Sequence, residues 1–117
     1  MDIQLKRGLL EVCVLTALHK GDSYGYQLVK DVSRVIEISE STLYPILKRL
    51  ETGGLVEVYS VEHNSRLRKY YCITEGGRQR IREFLQEWQS VMHVYRFIEG
   101  EMNAAEKQND LNGGTAQ

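Results

Sequence analysis

Residues 39–55 read SESTLYPILKRLETGGL, and the interpretation of the rest of the chain depends on this stretch. Its aliphatic residues recur at steps of three and four, so on a helix they form one apolar stripe that packs on a core: Leu43, Ile46, Leu47 and Leu50. A hydroxyl at Ser39 or Ser41 can accept from the free amides of the first turn, and Gly53 and Gly54 can end the helix. The stretch therefore predicts a short helix with sharp boundaries.

The opposite face of this predicted helix is polar and cationic. It carries Ser41, Pro45, Lys48, Arg49 and Thr52. Because proline lacks an amide hydrogen, Pro45 is expected in or near the first turn. Hydroxyls, a proline and two cations on a rigid helix suit a DNA groove, where side chains meet phosphates and base edges. A solvated surface is the alternative explanation for this face.

Two segments rich in branched and aromatic residues follow the glycines. They are LVEVYSV at 55–61 and LRKYYCI at 67–73, and turn-forming residues without glycine separate them. This pattern predicts a β-hairpin. Its second half carries the cations Arg66, Arg68 and Lys69 and no acidic residue. A charged edge strand also protects against aggregation, so the hairpin alone does not specify a DNA contact.

Two helices are expected before this region. Residues 5–18, LKRGLLEVCVLTAL, are apolar at nearly every position after Gly8. A helix that is apolar all round must be covered all round, which in a small domain indicates a second subunit on one side. The next helix, SYGYQLVKDVSRV, is expected to be capped by Asp22 or Ser23, and Gly25 within it often marks a close backbone approach.

Three short helices followed by a basic hairpin form the order of a winged helix-turn-helix. In that fold the third helix enters the major groove and the hairpin, or wing, reaches the neighbouring backbone. A cationic helix face and a basic wing in this order favour DNA binding over a solvated surface. The predicted fold class is mainly α (α+β), with a winged helix-turn-helix domain at residues 1–74.

A long dimerisation helix is predicted over residues 75–107, capped by Thr74. Its apolar residues follow a heptad repeat, with Ile81, Trp88, Tyr95 and Met102 at one core position and Phe84, Val91, Ile98 and Ala105 at the other. Four such repeats are typical of a helix that packs against another helix. Residues 108–117 are polar and contain glycine, which predicts a disordered tail.

The overall charge is close to neutral, with a formal net charge of -1 over 117 residues. Residues 1–80 hold twelve Lys and Arg against ten Asp and Glu, whereas residues 81–117 hold three against six. A neutral total argues against a non-specific polyanion binder, but DNA binding depends on the local patch. Without a secretory signal or an apolar run of membrane length, a cytoplasmic location is expected.

Three rival functions are open at this stage. An enzyme finds little support, because His19, His63 and His93 are scattered and no glycine-rich phosphate loop is present. A metal-sensing repressor would need clustered ligands, which the distant Cys13 and Cys72 do not supply within one subunit. A winged helix that binds protein would differ from a DNA binder by a weak salt dependence. No cofactor and no metal site are expected.

The order of these segments and their amino-acid sequences resemble the PadR family of bacterial transcriptional regulators, in particular its small branch with one C-terminal helix. The residues that carry the resemblance are Tyr24-Gly25-Tyr26, Thr42-Leu43-Tyr44-Pro45, Leu47, Arg49-Leu50-Glu51, Gly54-Leu55, Lys69-Tyr70-Tyr71, Thr74 and Gly77, within about residues 5–105. The resemblance implies a homodimeric repressor of a palindromic operator, at its own promoter or that of a transporter or stress operon, released by an effector. The wing turn from Asn64 to Leu67 departs from the family, whose members often carry glycine and more basic residues there.

Two candidate sites follow. The DNA-binding candidates are Tyr26, Ser41, Thr42, Tyr44, Pro45, Lys48, Arg49, Arg66, Arg68, Lys69 and Tyr70. The candidates for a small hydrophobic or aromatic effector at the dimer interface are Leu9, Val12, Phe84, Leu85, Trp88, Val91, Met92 and Tyr95. An indole is too large to interlock in a helix pair, which leaves space around Trp88, and some small PadR-like regulators hold drugs between paired tryptophans. The alternative is that Trp88 only fills the interface.

Overall fold

The computed structural model describes the backbone of residues 1–116 and the side chains of residues 1–110. Its elements, in chain order, are α1 (Ile3–His19), α2 (Gly25–Ser33), α3 (Glu40–Thr52), β1 (Val56–His63), β2 (Arg66–Ile73) and α4 (Glu75–Ala116). The chain divides into two compact units, Met1–Glu83 and Phe84–Gln117. Three helices, a two-stranded antiparallel wing and a long C-terminal helix confirm the predicted winged helix-turn-helix.

The core of the first unit lies between α1, α2, α3 and the base of the wing. Its buried members include Leu10, Val14, Leu15, Leu18, Leu28, Val32, Leu43, Ile46, Leu47, Leu50, Val56 and Tyr71. Each fully buried leucine stabilises the fold by roughly 1.5–3 kcal/mol relative to an exposed one. The whole predicted stripe of α3 is in this core, so its opposite face is held outward on a rigid support.

Helix α1 is covered unevenly. Val14, Leu15 and Leu18 are fully buried in the carboxyl half of the helix, whereas Ile3 and Leu5 in the first turn are exposed. The carboxyl half therefore packs on the core of its own unit. The cover of the remaining apolar surface by a second subunit stays a prediction.

Helix α2 begins later than predicted. Neither Asp22 nor Ser23 caps it, because α2 starts at Gly25 and its N-cap, Tyr24, makes no side-chain capping bond. Ser23 instead pairs with Tyr71 through two backbone hydrogen bonds of 3.1 and 2.8 Å and forms a bridge beside β2. The Asp22 carboxylate accepts a 2.7 Å hydrogen bond from the Tyr59 hydroxyl. The wing therefore binds Asp22 through its carboxylate and Ser23 through its backbone.

Helix α3 has the predicted ends. The Ser39 hydroxyl accepts from the Thr42 amide at 3.3 Å. At the other end Gly54 has a φ of 75°, and the Leu55 amide donates to the Leu50 carbonyl at 2.9 Å, which closes a Schellman motif.

Pro45 lies just beyond the first turn of α3, near the place predicted for it. It is the sixth residue of a helix that begins at Glu40, which places it in the second turn. Its ring displaces the amide that would bond to the Ser41 carbonyl. Both residues are exposed, so water can reach that carbonyl.

The wing is a hairpin with a two-residue turn. Its register runs from Val56 opposite Ile73 to His63 opposite Arg66. Asn64 and Ser65 have φ values of 51° and 63°, and positive values at both positions are characteristic of a type I′ turn. The predicted hairpin is confirmed, and Asn64 and Ser65 adopt the left-handed conformation that glycine usually takes.

The start of α4 is capped as predicted. The Thr74 hydroxyl accepts from the Gly77 amide at 3.1 Å and donates to the Gly54 carbonyl at 2.7 Å. The helix continues to Ala116, past its predicted end at Lys107. Residues 108–110, predicted as the start of a disordered tail, lie in α4. The disorder predicted for residues 111–117, whose side chains lie outside the described part, stays a prediction. Among the described residues, no helix is long and apolar enough to cross a membrane.

Candidate nucleic-acid interface

The exposed surface of α3 consists of three rows of side chains. A step of 100° per residue places Ser41, Pro45, Lys48 and Thr52 directly opposite the buried stripe, and we call this row the outer face. Glu40 and Tyr44 lie on one side of it, and Thr42 and Arg49 lie on the other. The outer face is the part of the helix that can enter a groove, and each flank borders a depression of its own.

The first depression, here called the wing groove, lies between the wing and α3. It has a volume of about 680 Å³ and is lined by Tyr24, Gly25, Tyr26, Glu40, Tyr44, Leu67, Arg68, Lys69 and Tyr71. Four of the predicted DNA-binding residues therefore come together here: Tyr26, Tyr44, Arg68 and Lys69. Tyr26 and Tyr44 are 18 residues apart, and Lys69 lies a further 25 residues along the chain, so the fold brings them to one surface.

Arg68 is held in place by a stack of tyrosines. Its guanidinium lies over the Tyr24 ring, 4.1 Å from the ring centre. The Tyr24 ring meets Tyr70 edge-on at 5.5 Å, and Tyr70 is stacked on Tyr59 at 5.7 Å. A cation over an aromatic face is attracted by the ring and gives up few of its hydrogen-bond donors. Arg68 thus keeps its donors for an anion, while the half-buried Tyr70 stands behind it as support.

At the far end of this stack, Tyr59 is hydrogen-bonded to an acidic residue. The Tyr59 hydroxyl donates to the Asp22 carboxylate at 2.7 Å. This hydrogen bond raises the pKa of Tyr59 to about 12, with smaller contributions from desolvation and from the negative charge of Asp22. Tyr59 therefore remains a neutral donor across the physiological pH range and ties the wing to the loop before α2.

Tyr44 depends on the glycine at the start of α2. A Cβ atom built at Gly25 would lie 2.5 Å from the Tyr44 hydroxyl oxygen and 3.0 Å from the ring carbon that bears it. The close approach that the sequence predicted at Gly25 is thus confirmed, and its partner is a candidate DNA-binding side chain. Tyr44 is 48% exposed, so the ring also reaches the surface of the wing groove.

A second depression, here called the α1 groove, lies on the other side of α3. Its volume is about 300 Å³, and its lining residues are Ile3, Lys6, Arg7, Leu10, Thr42, Pro45, Ile46 and Arg49. The Arg49 Nε donates to the Glu11 Oε1 at 3.2 Å, which turns this cation towards α1. The structure therefore separates Arg49 from Arg68 and Lys69, which lie across α3.

Lys6 and Arg7 did not emerge from the sequence as candidates. They share a three- and four-residue spacing with Ile3 and Leu10, so these four residues occupy one face of α1. This spacing could have shown that the two cations lie beside the core, because Leu10 on the same face is a core residue. The sequence pattern does not show that this face of α1 packs beside α3.

The remaining DNA-binding candidates lie at the edges of this surface. Arg66 lines a depression of about 450 Å³ at the wing tip with His63, Asn64, Leu67 and Arg68. Ser41 shares a 3.0 Å hydrogen bond with Ser39 in the capping cluster of α3. Lys48 is exposed on the outer face. The cations therefore lie in the half of β2 next to the wing tip and in the middle of α3.

The effector candidates belong to both units of the chain. Leu9 and Val12 lie in the first unit, where Leu9 is half-buried and Val12 is buried. The other six lie on α4 in the second unit, where the Phe84 and Trp88 ring centres are 5.7 Å apart. Leu85 and Tyr95 are exposed in the single chain. The effector site stays a prediction.

The two cysteines are free thiols, and burial raises the pKa of both Cys13 and Cys72. They therefore favour the neutral form, which is the weaker nucleophile and metal ligand. In the part of the chain that the structure describes, no three residues among His, Cys, Asp and Glu are grouped to hold a metal ion.

Comparison with known proteins gives a consistent result. The model of the transcriptional regulator PadR-like family matches residues 14–83. Uncharacterized protein X of Lysinibacillus sphaericus is 33% identical over 100 residues, which cover 80% of this chain and 92% of that protein. A transcriptional regulator from Clostridium thermocellum has a TM-score of 0.73 at 31% identity, covering 82% of this chain and 95% of that one. Bacillus subtilis PadR, solved in complex with operator DNA, has a TM-score of 0.60 at 25% identity, covering 65% of this chain and 46% of that one.

Proposed function

Because the chain belongs to the PadR-like family of transcriptional regulators, we propose that it binds double-stranded operator DNA as a homodimer and represses transcription of its own or a transporter or stress operon. The observation that carries the proposal is the wing groove, where Arg68 and Lys69 lie beside Tyr44, on the flank next to the outer face of α3. The solved complex of Bacillus subtilis PadR with operator DNA supports it, since that protein shares this fold.

The proposed DNA contact of each side chain follows from its position. The outer face of α3 enters the major groove, where Ser41 and Pro45 meet base edges and Lys48 meets a phosphate. Arg66, Arg68 and Lys69 of the wing contact the neighbouring backbone. Phosphate contacts position the protein and supply most of the affinity, whereas contacts to base edges supply sequence preference.

A homodimer would present two such surfaces to a palindromic operator. In helix-turn-helix dimers the recognition helices meet half-sites about one helical turn apart, roughly 34 Å. The exposed heptad residues of α4, among them Tyr95, Ile98 and Met102, support a second copy of the chain as the partner of this helix.

A gel-shift experiment with DNA from upstream of the protein's own gene tests the proposed function. We expect a discrete complex that unlabelled upstream DNA displaces and a shuffled sequence of equal length does not. Binding of both DNAs with equal affinity would contradict a specific operator. The absence of any shift at low salt would contradict DNA binding, because electrostatic attraction is strongest there.

Release by a small aromatic or hydrophobic effector at Trp88 is part of the proposal. The tilted contact between Phe84 and Trp88 offers flat aromatic surface on α4. Because Trp88 is the only tryptophan, its fluorescence reports on this site alone. A bound aromatic compound should quench it saturably and weaken operator binding by the factor with which operator weakens its own binding. If a broad panel of compounds leaves the emission unchanged and Trp88→Leu keeps repression, Trp88 only fills the interface.

A further inference from the structure

We propose that Lys6 and Arg7, at the amino end of α1, contact the phosphate backbone of the operator on the side of α3 that faces away from the wing. This inference rests on the proposed function, because it extends the same DNA surface. The recognition helix would then lie between two cationic supports, the wing on one side and the start of α1 on the other.

Lys6 and Arg7 lie next to the outer face of α3. Lys6 and Arg7 line the α1 groove together with Thr42, Pro45 and Arg49. Pro45 belongs to the outer face of α3, so the groove opens directly beside the part of the helix that would enter the DNA. A major groove is bordered by a phosphate backbone on each side, and a helix inserted in it has backbone on both flanks. The wing can supply cations to only one of them.

Helix α1 itself is not stabilised by these charges. They are the fourth and fifth residues of a helix that begins at Ile3 and has no acidic residue in its first turn. The amino end of a helix carries a partial positive charge, so cations there are unfavourable. The side chain of the N-cap, Asp2, accepts from the Gln4 amide at 3.0 Å. Among the described residues, the ion pairs join Arg49 to Glu11 and two arginines to Glu75, and neither Lys6 nor Arg7 belongs to one.

The net positive charge of the α1 groove depends on Lys6 and Arg7. Arg49 also lines the α1 groove, but its 3.2 Å ion pair with Glu11 offsets its charge. Lys6 and Arg7 therefore supply the uncompensated positive charge of this flank. The floor formed by Leu10 and Ile46 is apolar and buried, so the polar partner must approach from the open side, where the DNA backbone would lie.

The test is a double substitution, Lys6→Gln with Arg7→Gln, in the full-length chain. We expect weaker binding to specific and to shuffled DNA alike, because phosphates are common to both. The slope of log K against log salt should become shallower by about 0.9 for each lost contact, or nearly two for each DNA-bound subunit. The matched control is Lys20→Gln with Arg34→Gln, which removes the same charge from exposed positions of the same unit outside the α1 groove.

Phosphate ethylation interference locates the contact. For the wild-type protein, ethylation should interfere with binding on both backbones of each half-site. The Lys6→Gln, Arg7→Gln variant should lose the interference on one backbone and keep it where the wing binds. An interference pattern and salt slope equal to those of the control variant would overturn the inference while leaving DNA binding intact. If the wild-type protein bound no DNA, the proposed function would fail as well, and the two failures are distinguishable.

Discussion

Two neighbouring glycines at the start of α4 differ in what surrounds them. At Gly77 an added Cβ would clash with the Leu55 carbonyl oxygen and would lie 2.5 Å from Ile73 Cγ1. At Gly76 the nearest atoms would be 3.5 Å away, which is an ordinary contact distance. Gly77 therefore lets α4 approach the backbone at the base of the wing, whereas Gly76 has room for a side chain.

We predict that Gly77→Ala destabilises the protein and Gly76→Ala does not. Alanine is favoured over glycine within a helix by about 1 kcal/mol, but overpacking against backbone costs about 1–3 kcal/mol. The clash should exceed the gain at position 77, while only the gain applies at position 76. Denaturant titration measures both variants. Equal stabilities of the two variants would show that the close approach at Gly77 has no energetic weight.

The hydrogen bond between Tyr59 and Asp22 should make stability depend on alkaline pH. Because the pKa of Tyr59 rises from its usual value near 10 to about 12 in the folded protein, the neutral hydroxyl favours folding. The resulting stabilisation is fully present below pH about 10 and is lost as the pH rises through about 12. An absorbance titration should find a tyrosine that ionises near pH 12, and Asp22→Asn should move the pKa of that component down towards 10. An unchanged titration in the Asp22→Asn variant would contradict this hydrogen bond.

At the scale of the element, the turn of the wing is held in a conformation that favours glycine. Ser65 has a φ of 63° at the second turn position. A left-handed conformation costs an ordinary L-residue about 1–2 kcal/mol, and glycine avoids this cost. Ser65→Gly should therefore stabilise the hairpin by about 0.5–1 kcal/mol, net of the greater flexibility of glycine in the unfolded chain.

The control for Ser65→Gly is the same substitution at Ser60 in the middle of β1. Ser60 pairs with Lys69 in the regular ladder, where glycine should cost roughly 0.5–1 kcal/mol. Thermal or denaturant unfolding shows whether each substitution raises or lowers the free energy of unfolding. If both substitutions destabilised the protein, the type I′ description of the turn would be wrong.

For the whole molecule, the exposed apolar face of α4 predicts a dimer. Tyr95, Ile98 and Met102 are each more than half exposed in the single chain and lie at heptad core positions. Ile98→Asp should dissociate the dimer, because it places a charge in the predicted seam. Asn103→Asp adds the same charge at an exposed position outside the seam and should leave the dimer intact. Sedimentation equilibrium measures the mass, and a wild-type mass equal to the 13.5 kDa chain would contradict the dimer.

Local signals in the sequence predicted much of this fold. The cap at Ser39, the stripe of α3 and the left-handed residue at Gly54 act within a few residues, so the sequence pattern was sufficient for them. The start of α2 was predicted wrongly, because the Ser23 pairing with Tyr71 spans almost fifty residues. Such a pairing depends on the tertiary fold.

In the candidate site, too, local features could be predicted from the sequence and tertiary contacts could not. Arg68 and Lys69 could be predicted, since a run of cations in one strand is visible in the sequence. The contact between Arg68 and Tyr24 could not be predicted, because these residues meet only when the wing packs beside α2. Lys6 and Arg7 were missed for the same reason, as their place beside α3 arises from helix packing.

The salt dependence of DNA binding tests the central claim most directly. Fluorescence anisotropy would measure the affinity of the wild-type protein and of Arg68→Ala with Lys69→Ala for upstream DNA at several salt concentrations. We predict a steep fall of log K with log salt for the wild type, and for the variant a slope shallower by about 0.9 per lost phosphate contact. A wild-type affinity independent of salt, or identical slopes for the two proteins, would contradict the account.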